Sequence, residues 1–289
     1  MKIRDIPKLD PIPNIALFIS MQDRSTSKTL MTTLVADAAI EGGYRCDIFQ
    51  NDRQTRLNPY GTVTQVPVAS SNQTMASSTQ DTDNHEEFLQ HFKRNLADPH
   101  CVTIYDTAAG SIGRIPDILQ TLRIDGRLVK AGRSALGGIP VSTRVDICEA
   151  ALKCLDLASA ALPNQYIVPF VSFRDGNPDE LPRDHPFWQV IKKARHGAVI
   201  LPVIVLNVGL ALEQAQYRLS ELGDPDTEIT EEQLSAEMGI LETRANMLMS
   251  ACRDMVLHMG RELEPLGFFR PGRELGPGNY LAWSRERIP

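Results

Sequence analysis

A chain of 289 residues, 42% of them hydrophobic, is long enough for one large α/β domain or two small ones. With its mean hydropathy of -0.20, that composition describes an ordinary soluble globular protein. The net charge of -6 gives no global reason to expect nucleic acid or an acidic membrane surface as partner, leaving local patches such as Lys192, Lys193 and Arg195.

Residues 14–20 form a continuous apolar run headed by Pro11 and Pro13, the pattern of a strand buried on both faces. A polar loop follows and ends in Lys28-Thr29. Leu30, Leu34, Ala38 and Ala39 then recur at helical spacing. Strand, loop, Lys-Thr, helix is the layout of a phosphate-binding loop, in which backbone N–H groups cradle phosphates, the lysine reaches them and the hydroxyl holds Mg²⁺. The plain alternative is a surface strand-to-helix turn with a Ser or Thr cap.

Gly42-Gly43 signals the end of that helix, and residues 44–49 read as a second strand followed by a polar loop at 51–54. Residues 61–68 read as a short extended segment and 69–83 as a Ser/Thr/Gln/Asn-rich loop. A helix is expected over 86–96, with Phe88, Leu89 and Phe92 on one face. The third strand, 101–105, ends at Asp106-Thr107-Ala108-Ala109-Gly110. Then come a helix at 115–122, an ambiguous stretch at 128–136, a brief strand at 139–141 and an amphipathic helix at 146–162. A strand at 165–173, a helix at 186–193 capped by Asp184 or His185, and a strand at 198–205 follow.

A helix is expected at 208–222, and Thr230-Glu231-Glu232-Gln233 has the form of a capping box opening one long helix to 262. Its stripe of Leu234, Met238, Leu241, Ala245, Leu248, Cys252, Met255 and Met259 suits core or a dimer seam. Residues 267–289 are rich in Gly, Pro and Arg. The alternation of strands and helices predicts an open, mostly parallel sheet flanked by helices on both faces, with long C-terminal helices. Residues 14–20 and 102–105 are expected to be adjacent central strands. The expected division is one α/β domain over 1–265 and a tail over 266–289.

Cys46, Cys101, Cys148, Cys154 and Cys252 match no zinc spacing and read as buried free thiols of a reducing compartment. The six histidines show no ligand spacing and read as exposed or capping. Residues 1–10 hold no apolar signal core, and no apolar run reaches about 18 residues, so a cytoplasmic chain without a membrane span is expected.

Taken in order, Lys28-Thr29, Asp52-Arg53-Gln54 and the stretch from Ile104 to Gly110 resemble the ParA/MinD family of P-loop ATPases, the deviant Walker A branch of the SIMIBI class. Ile139-Pro140-Val141-Ser142 and Ile200-Leu201-Pro202 follow the family's order too, and the likeness covers about the first three quarters of the chain. The resemblance implies a P-loop fold that binds ATP and Mg²⁺. It implies that Ser25, Thr26, Ser27, Lys28, Thr29 and Gln54 contact nucleotide, that Thr29 and Asp106 serve the metal, and that Asp52 orients the attacking water. It further implies a homodimer acting in plasmid partition, conjugative transfer or cargo positioning, with DNA or a protein of such a system as partner.

The chain departs from the family at the loop itself. Ser27 stands where the family has glycine, Asp23 where it has its signature lysine, and Arg24 and Ser25 where it has further glycines. Weak or lost ATP hydrolysis is therefore expected, with a non-hydrolysing scaffold of the same fold as the alternative.

Overall fold

Seven strands form one sheet in the computed structural model, which describes residues 2–22, 27–51, 55–66, 85–109, 113–203, 212 and 216–268. The strands are β1 (Ile15–Ser20), β2 (Arg45–Gln50), β3 (Thr62–Gln65), β4 (Cys101–Asp106), β5 (Ser134–Val141), β6 (Tyr166–Val171) and β7 (Val199–Ile200). They run in the order β3-β2-β4-β1-β5-β6-β7, and every pairing is parallel. The helices are α1 (Lys28–Glu41), α2 (Glu86–Ala97), α3 (Ile115–Thr121), α4 (Ile124–Ala131), α5 (Val145–Ala161), α6 (Pro186–Lys193), α7 (Leu219–Gly223), α8 (Glu231–Met238) and α9 (Glu242–Glu262).

β1 is buried throughout and lies between β4 and β5, as the continuous apolarity of residues 14–20 and 102–105 predicts. Side chains alternate between two cores. Phe18, Ile48, Val102, Ile104, Leu136 and Phe170 face one core with α1, α7, α8 and α9. Leu17, Ile19, Phe49, Tyr105, Ile139 and Val171 face the other with α2, α3, α4, α5 and α6. The architecture is therefore α/β, an all-parallel open sheet with helices on both faces.

Several boundaries differ from the sequence expectation. The brief strand at 139–141 is the end of an eight-residue strand in the sheet interior, and the ambiguous stretch at 128–136 divides between α4 and that strand. Gly137 and Gly138 weaken the apolar pattern there. A Cβ at Gly137 would sit 2.6 Å from Met21 Cε, and one at Gly138 would sit 2.8 Å from Met31 Sδ, so the two glycines make room for methionines on either side of the connection between β1 and α1.

The single long helix expected over 231–262 is two. α8 ends at Gly239, which adopts φ 63°, and α9 restarts at Glu242. Thr230 does cap α8, accepting from Gln233 N at 3.1 Å. Most of the predicted stripe is core, but Leu241 falls in the break and is 68% exposed. Among the described residues the strand expected at 198–205 spans Val199–Ile200, with 204–205 outside them. Of the helix expected at 208–222, Leu212 is helical, Leu219–Gly223 form a short helix, and 208–211 and 213–215 lie outside the described residues. All five cysteines are buried and free. Among the described residues no helix is long and apolar enough to cross a membrane. The loop expected at 69–83 and residues 269–289 of the expected tail lie outside the described residues; Leu266 and Phe268, just past residue 265, are buried in the core.

Candidate functional site

The carboxyl ends of β1 and β4 are where a ligand site should form. β1 continues into α1 on one face of the sheet, and β4 continues toward α3 on the other. Adjacent parallel strands whose connections leave to opposite faces open a crevice at their carboxyl ends, and open α/β sheets bind ligands there.

Lys28 is the first residue of α1 and is buried. Its Nζ donates to the carbonyl of Gln22 at 2.8 Å. A cation at a helix N-terminus is electrostatically unfavourable, so this lysine is held there by oxygen acceptors and by the charge of Asp106. Gln22 is itself fixed: its Nε2 donates to Pro140 O at 3.0 Å, and Cys154 Sγ lies 3.7 Å from its Oε1. The entry to the loop is thus tied to β5 and α5.

Ser27 occupies the N-cap position with φ 37° and ψ 17°, the left-handed region, and its side chain makes no capping hydrogen bond. No acidic residue stands in the first turn of α1. A helix N-terminus carries partial positive charge, so a first turn with a lysine and no carboxylate of its own is an electropositive position that favours an anion.

Asp106 ends β4 opposite Ser20, which ends β1. Its Oδ1 accepts from Ser20 Oγ at 2.6 Å and Thr32 Oγ1 at 2.8 Å. Its Oδ2 accepts from Thr29 Oγ1 at 3.4 Å. Burial pushes the Asp106 carboxyl above its ordinary value, while the Ser20 and Thr32 hydroxyls, the Lys28 charge and Thr29 pull it back. Thr107 closes the other side, its N–H donating to Ser20 Oγ at 3.1 Å and its hydroxyl to Ser20 O at 2.6 Å.

The polar loop after β2 begins against the same edge, since Asn51 N donates to Asp106 O at 3.1 Å. Asn51 Nδ2 reaches Val66 O at 2.8 Å and Tyr105 Oη at 2.9 Å, and His85 bonds the same Tyr105 hydroxyl. His85 is fully buried, contrary to the expectation of exposed or capping histidines, because Tyr105 gives its ring a partner; His185 does cap, its Nδ1 accepting from Phe187 N.

Of the residues expected at the site, Lys28, Thr29 and Asp106 come together, and Ser27 adjoins them. Ser25, Thr26, Asp52 and Gln54, with Asp23 and Arg24, lie outside the described residues. The sequence reading missed Ser20, Gln22, Thr32 and Thr107. Thr32 carried a signal, three residues after Thr29 and so on the same helix face. Ser20 carried none until the strand register placed it beside Asp106.

A hydroxyl and a carboxylate adjacent to a lysine form a hard oxygen donor set that suits Mg²⁺, which takes one or two protein ligands and fills its shell with water and phosphate oxygens. Among the described residues no group of three or more His, Cys, Asp or Glu has a geometry that would hold a metal ion by itself.

No known protein family and no curated protein matches the sequence. Among solved structures, the signal recognition particle 54 kDa protein from Aeropyrum pernix K1, in complex with GDP, is similar. The identity is 9%, the TM-score is 0.38, and the likeness covers 89% of this chain and 80% of that one. A likeness that distant carries no argument about the site or its ligand.

Proposed function

We propose that this chain is a P-loop nucleotide-binding protein of the ParA/MinD kind, taking ATP with Mg²⁺ at the carboxyl ends of β1 and β4 and hydrolysing it slowly or not at all. The observation that carries this reading is the cluster of Lys28, Thr29 and Asp106 between two strands whose connections leave to opposite faces. Lys28 would leave the Gln22 carbonyl for the β- and γ-phosphate oxygens. The first turn of α1 would present N–H groups to the same phosphates. Thr29 Oγ1 would ligate Mg²⁺, and Asp106 Oδ2 would hold a water of its shell. Bound Mg²⁺ would neutralise charge on the phosphates.

Slow turnover follows from the loop. Asp23 stands where the family supplies a lysine, and a cation that stabilises a transferred phosphoryl group is worth about 10³–10⁵ in rate by analogy with arginine fingers. Ser27, Ser25 and Arg24 place side chains where the family has glycine. Asp52 is the residue proposed to orient water. On this reading the biological role is that of a dimeric partition, transfer or cargo-positioning protein, or of a non-hydrolysing scaffold descended from one; the acidic net charge does not favour DNA as its partner.

Steady-state phosphate release, with and without DNA, on wild type and Lys28→Ala tests the catalytic half. Release at or near background in both is expected. Robust turnover that Lys28→Ala abolishes would overturn the degenerate-loop reading and restore a full ATPase.

A further inference from the structure

Asp106 has two carboxylate oxygens in very different surroundings. Oδ1 is filled by Ser20 Oγ at 2.6 Å and Thr32 Oγ1 at 2.8 Å, whereas among the described residues Oδ2 has only the long 3.4 Å contact from Thr29. The direction of the Ser20 bond is forced. Ser20 Oγ already accepts the Thr107 N–H, so its one proton points to Asp106 Oδ1. Thr32 Oγ1 has one proton and two acceptors in reach, Asp106 Oδ1 at 2.8 Å and Lys28 O at 3.0 Å; the charged and nearer carboxylate takes it, which ties Asp106 to α1. All three groups are buried, and Ser20 and Asp106 are register partners on paired strands.

Two donors on one oxygen fix the rotation of a carboxylate about its Cβ–Cγ bond. We propose that Ser20 and Thr32 are positioning residues that pin Asp106 Oδ1 so that Oδ2 faces the metal position beside Thr29. The proposal rests on the nucleotide reading above. Neither residue touches nucleotide or metal; both act through Asp106, in the way outer hydrogen-bond partners orient metal ligands. Ser20 comes from the sheet and Thr32 from the helix, so the carboxylate is braced from both elements that frame the crevice.

The test measures ATP affinity in Mg²⁺ and in EDTA on the full chain, with GTP in parallel, for wild type, Ser20→Ala, Thr32→Val and Thr32→Ser. Thr32→Val keeps the shape and removes the hydroxyl; Thr32→Ser restores it. The expected result is that Thr32→Val and Ser20→Ala lower the Mg²⁺-dependent enhancement about tenfold, the scale of outer-shell substitutions, with affinity in EDTA unchanged and Thr32→Ser near wild type. If Ser20→Ala does not fold because the Thr107 N–H is orphaned, the Thr32 pair decides. An unchanged Mg²⁺ enhancement in Thr32→Val, or an equal loss in Mg²⁺ and EDTA, would overturn the positioning role while leaving nucleotide binding intact. Wild type that binds nucleotide in neither condition would overturn the nucleotide reading itself, and this inference with it.

Discussion

Ser27 holds a backbone conformation that suits another residue type. Its left-handed φ of 37° is one that glycine adopts without steric cost. An L-residue there costs roughly 1–2 kcal/mol, and glycine returns part of that through its greater freedom when unfolded. Ser27→Gly is therefore expected to raise stability by about 0.5–1 kcal/mol, read as a shift in the urea midpoint at constant slope. A loss of stability would show that the serine side chain makes a contact worth more than the strain. At this scale the sequence was legible where chemistry is local: Lys28-Thr29 and Asp106 announce themselves by their places at element ends. Ser20 and Gln22 do not. Their roles depend on which strand lies beside β1 and on Pro140 passing close to the loop entry, and neither is encoded in neighbouring residues.

The helix that carries the site at its first turn is held at its other end by a buried carboxylate. Asp37 of α1 accepts from Ser220 N at 3.1 Å and Ser220 Oγ at 2.9 Å, at the start of α7. Beside it Arg218 pairs with Glu41 and Glu221, each at 3.0 Å, and Tyr60 Oη accepts from Leu219 N. Burial, and then the Glu41 charge, push the Asp37 carboxyl up to about 7 against the Arg218 charge and the Ser220 bonds. A carboxyl raised above its unfolded value of 3.8 contributes stability that is fully present below that value and lost as pH rises through about 7. Unfolding free energy measured across this window should fall relative to Asp37→Asn by on the order of a few kcal/mol. A wild-type curve parallel to that of Asp37→Asn would contradict it. The break between α8 and α9 was the element hardest to read, because apolar residues keep helical spacing straight through it. Gly239 was the one cue, and a lone glycine inside a periodic stretch looks tolerable until its φ of 63° is seen.

At the scale of the whole molecule, the strand order sets where in a common α/β pattern a crevice opens at the carboxyl ends of the strands. Continuous apolar runs marked β1 and β4 as interior strands, and alternating elements marked the parallel sheet. The order β3-β2-β4-β1-β5-β6-β7 could not be read, since it depends on which loops cross which face. That order makes the β1–β4 boundary the point where connections diverge, and it collects Lys28, Thr29 and Asp106 there. The central claim is that this crevice holds a nucleoside triphosphate. The direct measurement is equilibrium titration of ATP with Mg²⁺ into the full chain and into Lys28→Ala. Hydrogen bonds to charged groups contribute about 1.5–3 kcal/mol, so saturable one-site binding to wild type weakened about ten- to a hundredfold in Lys28→Ala is predicted. No saturable binding to wild type, or binding of equal strength in Lys28→Ala, would contradict the account.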